Sequence, residues 1–192
     1  RVQIASDLHD DVGSSLTELA LQTDFLQAVE LNKDVKDTLK QIGEHSRKIV
    51  SSLDDIVWSI DSRNDTAGDL TDRMQDYVNH IFVNGHAEVF YHFEDLQMDQ
   101  KLPVDVKENI YLVFKESVNN VVKHSNATRV DIHFSYNGRS YDLVIRDNGT
   151  GSSTNRKSGQ GLRNMRMRAD RIGADITIES GDGFTVEMKG TT

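Results

Sequence analysis

From Val35 to Ile60 the chain carries an unbroken 4,3 spacing: Val35, Leu39, Ile42, Ser46, Ile49, Leu53, Ile56, Ile60. Such spacing keeps one narrow apolar line along a helix, the contact line of a coiled coil or helical bundle. The stretch before it is helical too. Ile4, Leu8, Val12, Leu16, Leu19, Phe25, Leu26 and Val29 recur as on a long amphipathic helix, and residues 1–62 contain no proline. Asn32-Lys33-Asp34 is a polar break between the two helices. A single hairpin has no partner for both seams, so the pattern predicts a four-helix bundle built from two copies of the chain. The alternative is a monomeric hairpin packed on the rest of the chain.

After the seam the pattern changes. Ser62–Gly68 (SRNDTAG) is polar and reads as a linker, which divides the chain into a helical domain at 1–62, a linker at 63–68 and a second domain at 69–192. In the second domain, 70–83 reads as a helix and 87–93 as a strand. Pro103 opens a helix running to about Lys123, with Val106, Ile110, Phe114, Ser117 and Val121 on one stripe. Asn137-Gly138 marks a hairpin between two alternating strands, Val130-Ile132-Phe134-Tyr136 and Tyr141-Leu143-Ile145. A loop at 150–160, a helix with Leu162, Met165, Ala169 and Ile172, and two final strands complete it. The predicted class is α+β: a two-helix hairpin followed by one mixed sheet with helices on one face.

Bulk properties narrow the chemistry. Among 192 residues there is no cysteine, so disulfides, zinc–thiolate sites and thiol catalysis are excluded. The absence also fits a reducing compartment. A net charge of -9 argues against a general nucleic-acid-binding surface. No segment approaches the ~20 apolar residues of a membrane span. Because Arg1 already stands inside a helical pattern, the sequence reads as a piece of a longer protein.

Three groups of residues in the second domain carry chemistry. Gly149 and Gly151 lie in DNGTG, and Gly159 and Gly161 in GQGL. Paired glycines are either turn chemistry or a close backbone approach to phosphate, and a helix opening near Gly161 aims free N–H groups at an anion. Asp147 shares parity with Tyr141, Leu143 and Ile145, so it is expected to face the core, where a carboxylate needs a partner such as an amine-bearing base. Glu116, Asn120 and Lys123 stand at i, i+4 and i+7, with His124 following. They form either a solvated helix edge or a set that holds Mg²⁺ and phosphate oxygens.

In this order, Glu-x-x-x-Asn-x-x-Lys-His (116–124), then DNGTG, then GQGL resembles the Bergerat-type ATP-binding domain shared by histidine kinases, gyrase, Hsp90 and MutL. The resemblance implies an α/β sandwich over residues 66–192. It implies ATP and Mg²⁺ as ligands, with Asn120 on the metal and Asp147 on the adenine amino group. Gly149 and Gly151 would shape the adenine pocket, 150–160 would be a lid, and Gly159, Gly161 and Leu162 would cradle phosphates. GDGFT (181–185) looks like the family's last glycine box, but Phe184 stands where threonine usually follows the glycine, with Thr185 one place later.

On the first helix, DLHDDVG (7–13) resembles the phosphoacceptor motif of the histidine kinases that sense nitrate or lipid fluidity and pair with LuxR-type response regulators. IVWSIDSRND (56–65) looks like their bundle-to-linker junction. The resemblance implies a homodimer that phosphorylates His9 and passes the phosphate to a response-regulator receiver domain. Asp10 would take a ring proton and leave the other nitrogen nucleophilic. Lys123, His124, Arg156 and Lys157 are the candidate cations for transition-state charge. It also implies the cytoplasmic part of an inner-membrane sensor protein, with no direct nucleic-acid or membrane contact from this fragment. Ser14 stands where these kinases often carry a glutamine tied to phosphatase activity. Two other readings are a dimeric nucleotide-binding scaffold without turnover and an ATPase clamp acting on DNA.

Overall fold

A computed structural model describes residues 12–27, 32–83, 87–94, 96–150, 159–181 and 183–192. The chain divides into two compact units, Arg1–Arg63 and Asn64–Thr192.

In the first unit, helix α1 (Ser14–Gln27) packs on helix α2 (Lys33–Ile60). The Asn32 side chain caps α2 by accepting from the Asp34 N–H. Small residues mark the contact: Ala20 and Thr23 on α1 and Gly43 and Ser46 on α2 are buried. A Cβ at Gly43 would meet the Thr23 hydroxyl at 2.7 Å, so glycine lets the two helices approach. An Asp24–Arg47 ion pair at 3.0 Å ties them at the surface.

The seam splits in two. Ser46 is buried and Leu39, Leu53 and Ile60 are half-buried. Val35, Ile42, Ile49 and Ile56, seven residues apart, remain 38–48% exposed. Val12, Leu19 and Leu26 repeat the same spacing on the α1 side of the hairpin and are also exposed. A strict heptad of exposed apolar residues on both helices calls for helical cover.

The second unit begins with a 3₁₀ turn at its boundary (Ser62–Asn64) and helix α3 (Ala67–Ile81). This helix starts earlier than the apolar pattern predicts. Thr66 and Asp69 form a reciprocal capping box there, a polar signal that hydrophobic periodicity does not register. Strand β1 (Glu88–His92), helix α4 (Val104–His124), β2 (Arg129–Tyr136), β3 (Ser140–Asp147), helix α5 (Gln160–Arg171), β4 (Asp175–Gly181) and β5 (Gly183–Thr191) follow. The sheet order is β1-β2-β3-β5-β4, parallel only between β1 and β2. The class is therefore α+β, as the sequence predicts.

One sheet face is buried. Val130, Ile132, Phe134 and Tyr136 on β2, Tyr141, Leu143 and Ile145 on β3, and Val186 and Met188 on β5 form it. Against it lie Ile110, Val113, Phe114, Val118 and Val121 of α4, Leu70, Met74 and Val78 of α3, and Met165 and Ala169 of α5. The β2–β3 turn is built by Asn137, whose side-chain oxygen accepts from the Arg139 and Ser140 N–H groups, and by Gly138 at φ 86°.

The exposed seam generates the first prediction. Ile49 is 47% exposed in a single chain, so Ile49→Glu costs an isolated hairpin little. In the core of a four-helix bundle it places an unpaired ion, at a cost on the order of several kcal/mol. The variant should keep its helical circular dichroism and run as a monomer by light scattering. A variant that stays dimeric at the same concentration would mean that something other than a second seam covers these residues.

Candidate functional site

The site gathers where helix α4 ends against the end of β3. Asp147, the last residue of β3, is only 2% exposed and lies on the core face with Ile145 and Leu143, as strand parity predicts. Its Oδ1 accepts from the Gly149 N–H at 2.7 Å. Oδ2 is fully buried and has no hydrogen-bond partner among the described residues. Burial pushes the carboxyl above its ordinary value, an effect opposed by the Gly149 N–H, the Ser125 hydroxyl and the Phe184 N–H nearby. A buried acceptor held in this way is poised for a donor from outside the chain.

The turn after Asp147 is tied to the end of α4. The Thr150 N–H donates to the Ser125 carbonyl at 3.0 Å. A Cβ at Gly149 would collide with that same Ser125 carbonyl, so only glycine fits between Asp147 and the helix end. Asn148 accepts from the Thr128 and Arg129 N–H groups at 3.0 and 2.9 Å, locking the turn to the start of β2. From the other side, Gly183 (φ 103°) lies directly against the Asp147 carbonyl. Ser125 and Asn148 are site-building residues that sequence reasoning missed. Ser125 follows the helix without any periodic signal, and Asn148 reads as an ordinary turn residue.

Helix α4 carries the second group. The Asn120 side-chain nitrogen is buried and has no hydrogen-bond partner among the described residues. One turn earlier, the Glu116 carboxylate lies so close to Gly161 that a Cβ there would collide with its oxygen. Gly161 is in the first turn of α5, which begins at Gln160, one residue before the expected start. Gly159 is the N-cap and supplies no side-chain cap, so the first-turn N–H groups are left open. Glu116 thus sets negative charge beside a helix N-terminus, where an anion is favoured. Leu162 is half-buried in the same turn, and Lys123 and His124 are exposed at the end of α4.

Not every expected residue joins the cluster. Thr185 pairs with Arg146 and Glu179 in the sheet register, and shares parity with Glu187 and Lys189 rather than with buried Val186 and Met188. It therefore lies on the sheet face away from Asp147. His9, Asp10, Gly151, Arg156 and Lys157, and the lid from 151 to 158, lie outside the described residues.

A buried carboxylate on the central strand, a glycine turn closed on a helix end and an uncapped helix beside a glutamate define an ATP-binding α/β sandwich. Residues 105–191 match the family described as "Histidine kinase-, DNA gyrase B-, and HSP90-like ATPase". Residues 1–65 match the family "Histidine kinase". Among curated proteins, the sensor histidine kinase YvfT of Bacillus subtilis is 29% identical over 191 residues, 98% of this chain and 49% of that protein. The sensor histidine kinase DesK of the same organism is 27% identical over 201 residues, 98% of this chain and 50% of that protein. The chain thus spans about half the length of the curated relatives it matches. The fold also recurs in the histidine kinase domain of Erythrobacter litoralis EL346, with a TM-score of 0.60, 19% identity, and coverage of 92% of this chain and 93% of that one. Full-length ShkA in complex with AMPPNP gives a TM-score of 0.58 at 12% identity, over 98% of this chain and 45% of that one. The chain carries these two domains in this order and is homologous to sensor histidine kinases.

Asp147 generates the second prediction. Replacing it by Asn removes a charge-assisted acceptor worth about 1.5–3 kcal/mol, or about 10- to 150-fold in ATP affinity by calorimetry. Stability should move differently. A native carboxyl raised above the unfolded value holds its proton more tightly in the folded state, so its contribution falls as pH rises from 3.8 through the native value. Asp147→Asn removes that loss, and the nucleotide-free melting temperature at neutral pH should be unchanged or higher. A fall in stability matching the fall in affinity would make Asp147 a folding residue instead.

Proposed function

We propose that this chain is the catalytic core of a homodimeric two-component sensor kinase that transfers the γ-phosphate of ATP to His9. The observation that carries the reading is the pairing of buried, half-satisfied Asp147 with the open first turn of α5 beside Glu116. Asp147 Oδ2 accepts from the adenine amino group, with Gly149 keeping the pocket floor close. The N–H groups around Gly159, Gly161 and Leu162 take phosphate oxygens. Lys123, exposed near the end of α4, is a candidate cation for the phosphates, with His124 beside it.

Mg²⁺ fits the donor set. The Asn120 side-chain oxygen and the Glu116 carboxylate, one turn apart on α4, are oxygen ligands of the kind a hard cation takes, and the buried Asn120 nitrogen beside them has no hydrogen-bond partner among the described residues. Among the described residues there is no cluster of three acidic or histidine ligands, which suits an ion held by one or two protein groups together with phosphates. When bound, the ion neutralises charge on the transferring phosphoryl group.

The chemistry at His9 needs one nucleophilic nitrogen and one proton acceptor. A ring nitrogen forms the N–P bond as the bond from the γ-phosphorus to the ADP oxygen breaks, and the Asp10 carboxylate takes the proton from the other ring nitrogen. The phosphate then passes to an aspartate on a response-regulator receiver domain, with LuxR-type DNA-binding output. The exposed heptads of both helices suit a second copy of the chain as partner. No helix among the described residues is long and apolar enough to cross a membrane. The core works on the cytoplasmic side, as part of an inner-membrane sensor. A nucleotide-binding scaffold without turnover has no observation in its favour, and an ATPase clamp on DNA is opposed by the net charge of -9.

The test is incubation with γ-labelled ATP. Wild type should acquire acid-labile label. His9→Gln should lose it while its ATP affinity stays within about twofold, because the nucleotide site is in the other unit. Asn120→Ala should lose Mg²⁺-dependent labelling. Acid-stable label, or label retained by His9→Gln, contradicts the assignment. Ser14 generates a further expectation. Its hydroxyl is shorter than a glutamine amide and holds a water less firmly, so dephosphorylation of the phosphorylated regulator should be slow. Ser14→Gln should accelerate it, measured with ADP present. A fast wild type that the substitution leaves unchanged would remove residue 14 from the account.

A further inference from the structure

Lysine is almost never fully buried without a partner, yet Lys107 in the first turn of α4 is 0% exposed. Its ammonium donates to the Asn64 carbonyl at 2.7 Å and to Asp65 Oδ1 at 2.8 Å. Asn64 is the last residue of the 62–64 turn and Asp65 the next, at the point where the second unit begins. Neighbouring bonds complete the anchorage. The Leu102 N–H donates to the Asp65 carbonyl at 2.7 Å, the Ala67 N–H to the Gln100 carbonyl at 2.9 Å, and Thr66 bridges to Lys101. Lys101 in turn accepts from the Tyr136 hydroxyl at 3.0 Å, which ties the anchorage to β2.

On the other side of the boundary, Arg63 closes on Asp61 through both its Nε and Nη2. Helix α2 ends at Ile60. Only Asp61, Ser62 and Arg63 therefore remain between the end of α2 and the first residue that Lys107 grips. A lysine in an exposed first turn would serve solubility. A lysine withdrawn entirely from water, with its charge spent on a main-chain carbonyl and one carboxylate of the junction, serves position.

We infer that Lys107 is a positioning residue for phosphoryl transfer: by clamping Asn64 and Asp65 to helix α4 it keeps the tether between the phosphoacceptor helices and the ATP unit at three residues. This rests on the kinase reading above. The same helix carries Glu116 and Asn120 nine and thirteen residues further on, so the clamp and the far nucleotide ligand are fixed to one rod about 20 Å apart. Transfer from a bound nucleotide to a tethered acceptor depends on effective concentration, which falls roughly as the -3/2 power of tether length. Releasing Asn64 and Asp65 lengthens the tether from three residues to five and lowers that concentration by about twofold, and looser orientation lowers the rate further.

The experiment compares wild type with Lys107→Met, Lys107→Arg and Asp65→Asn, using the whole chain. Lys107→Met should slow autophosphorylation at saturating ATP by twofold or more. The ATP concentration at half-maximal rate and the calorimetric affinity should stay within twofold. Lys107→Arg, which keeps a cation and its donors, should recover most of the rate. Amide exchange should quicken at Leu102 and Ala67 and stay unchanged through β2 and β3. Asp65→Asn, which keeps the fold if Lys107→Met does not, should show the same split in smaller measure. A rate within 1.5-fold of wild type, or a loss of ATP affinity in step with the rate, overturns the proposal. A wild type that takes no label on His9 overturns the kinase reading itself, which separates the two failures.

Discussion

Everything in the catalytic unit hangs on the burial of helix α4 against the sheet. Val106, Ile110, Val113, Phe114, Val118 and Val121 are buried along one side, and each such side chain contributes about 1.5–3 kcal/mol before conformational entropy is counted. That docking fixes the helix in rotation as well as position. With the apolar stripe held against the strands, Glu116 turns toward α5, Ser125 ends against the Asp147–Thr150 turn, and Lys107 reaches the junction at the opposite end. One apolar contact thereby orients the polar groups at both ends of the domain.

The polar groups are costly by design of the fold. Among the described residues, Asp147 is buried with one oxygen unpaired, and the Asn120 nitrogen is buried without a partner. Orphaned atoms of this kind destabilise an empty domain, and the sheet and helix core offset them. On the proposed reading, a donor for Asp147 and an acceptor for the Asn120 nitrogen arrive with the nucleotide, so the energy withheld from folding appears as affinity. The two helices of the first unit follow the same logic on a larger scale. Their exposed heptads are unfavourable in one chain and become a core when a second chain covers them.

Much of this was legible in the sequence, for reasons that differ by residue. Asp147 declared itself because Tyr141, Leu143 and Ile145 alternate up to it, so its parity predicted burial. The 4,3 spacing of α2 declared an interhelical seam, although it did not separate the half that packs on α1 from the half left exposed. Phe184, Val186 and Met188 also alternate, and that parity sets Thr185 on the other face. Lys107, Ser125 and Thr66 had no such signal. A lysine in a helix reads as solvated, a serine after a helix reads as a turn, and a capping threonine lies before the first apolar residue. Their roles come from tertiary partners far along the chain: Asn64 and Asp65 for Lys107, Asp147 and Thr150 for Ser125.

The central claim is that one nucleotide occupies the space between Asp147 and the first turn of α5, adenine at one end and phosphates at the other. Backbone and side-chain amide NMR during titration tests it most directly, with adenosine alone compared with ATP·Mg²⁺. Adenosine should shift the Gly149 amide and leave the Asn120 side chain and the Gly161 amide in place. ATP·Mg²⁺ should shift all three together, saturating at one nucleotide per chain. Shifts confined to other surfaces, or an adenosine titration that moves Gly161 and spares Gly149, would contradict the account.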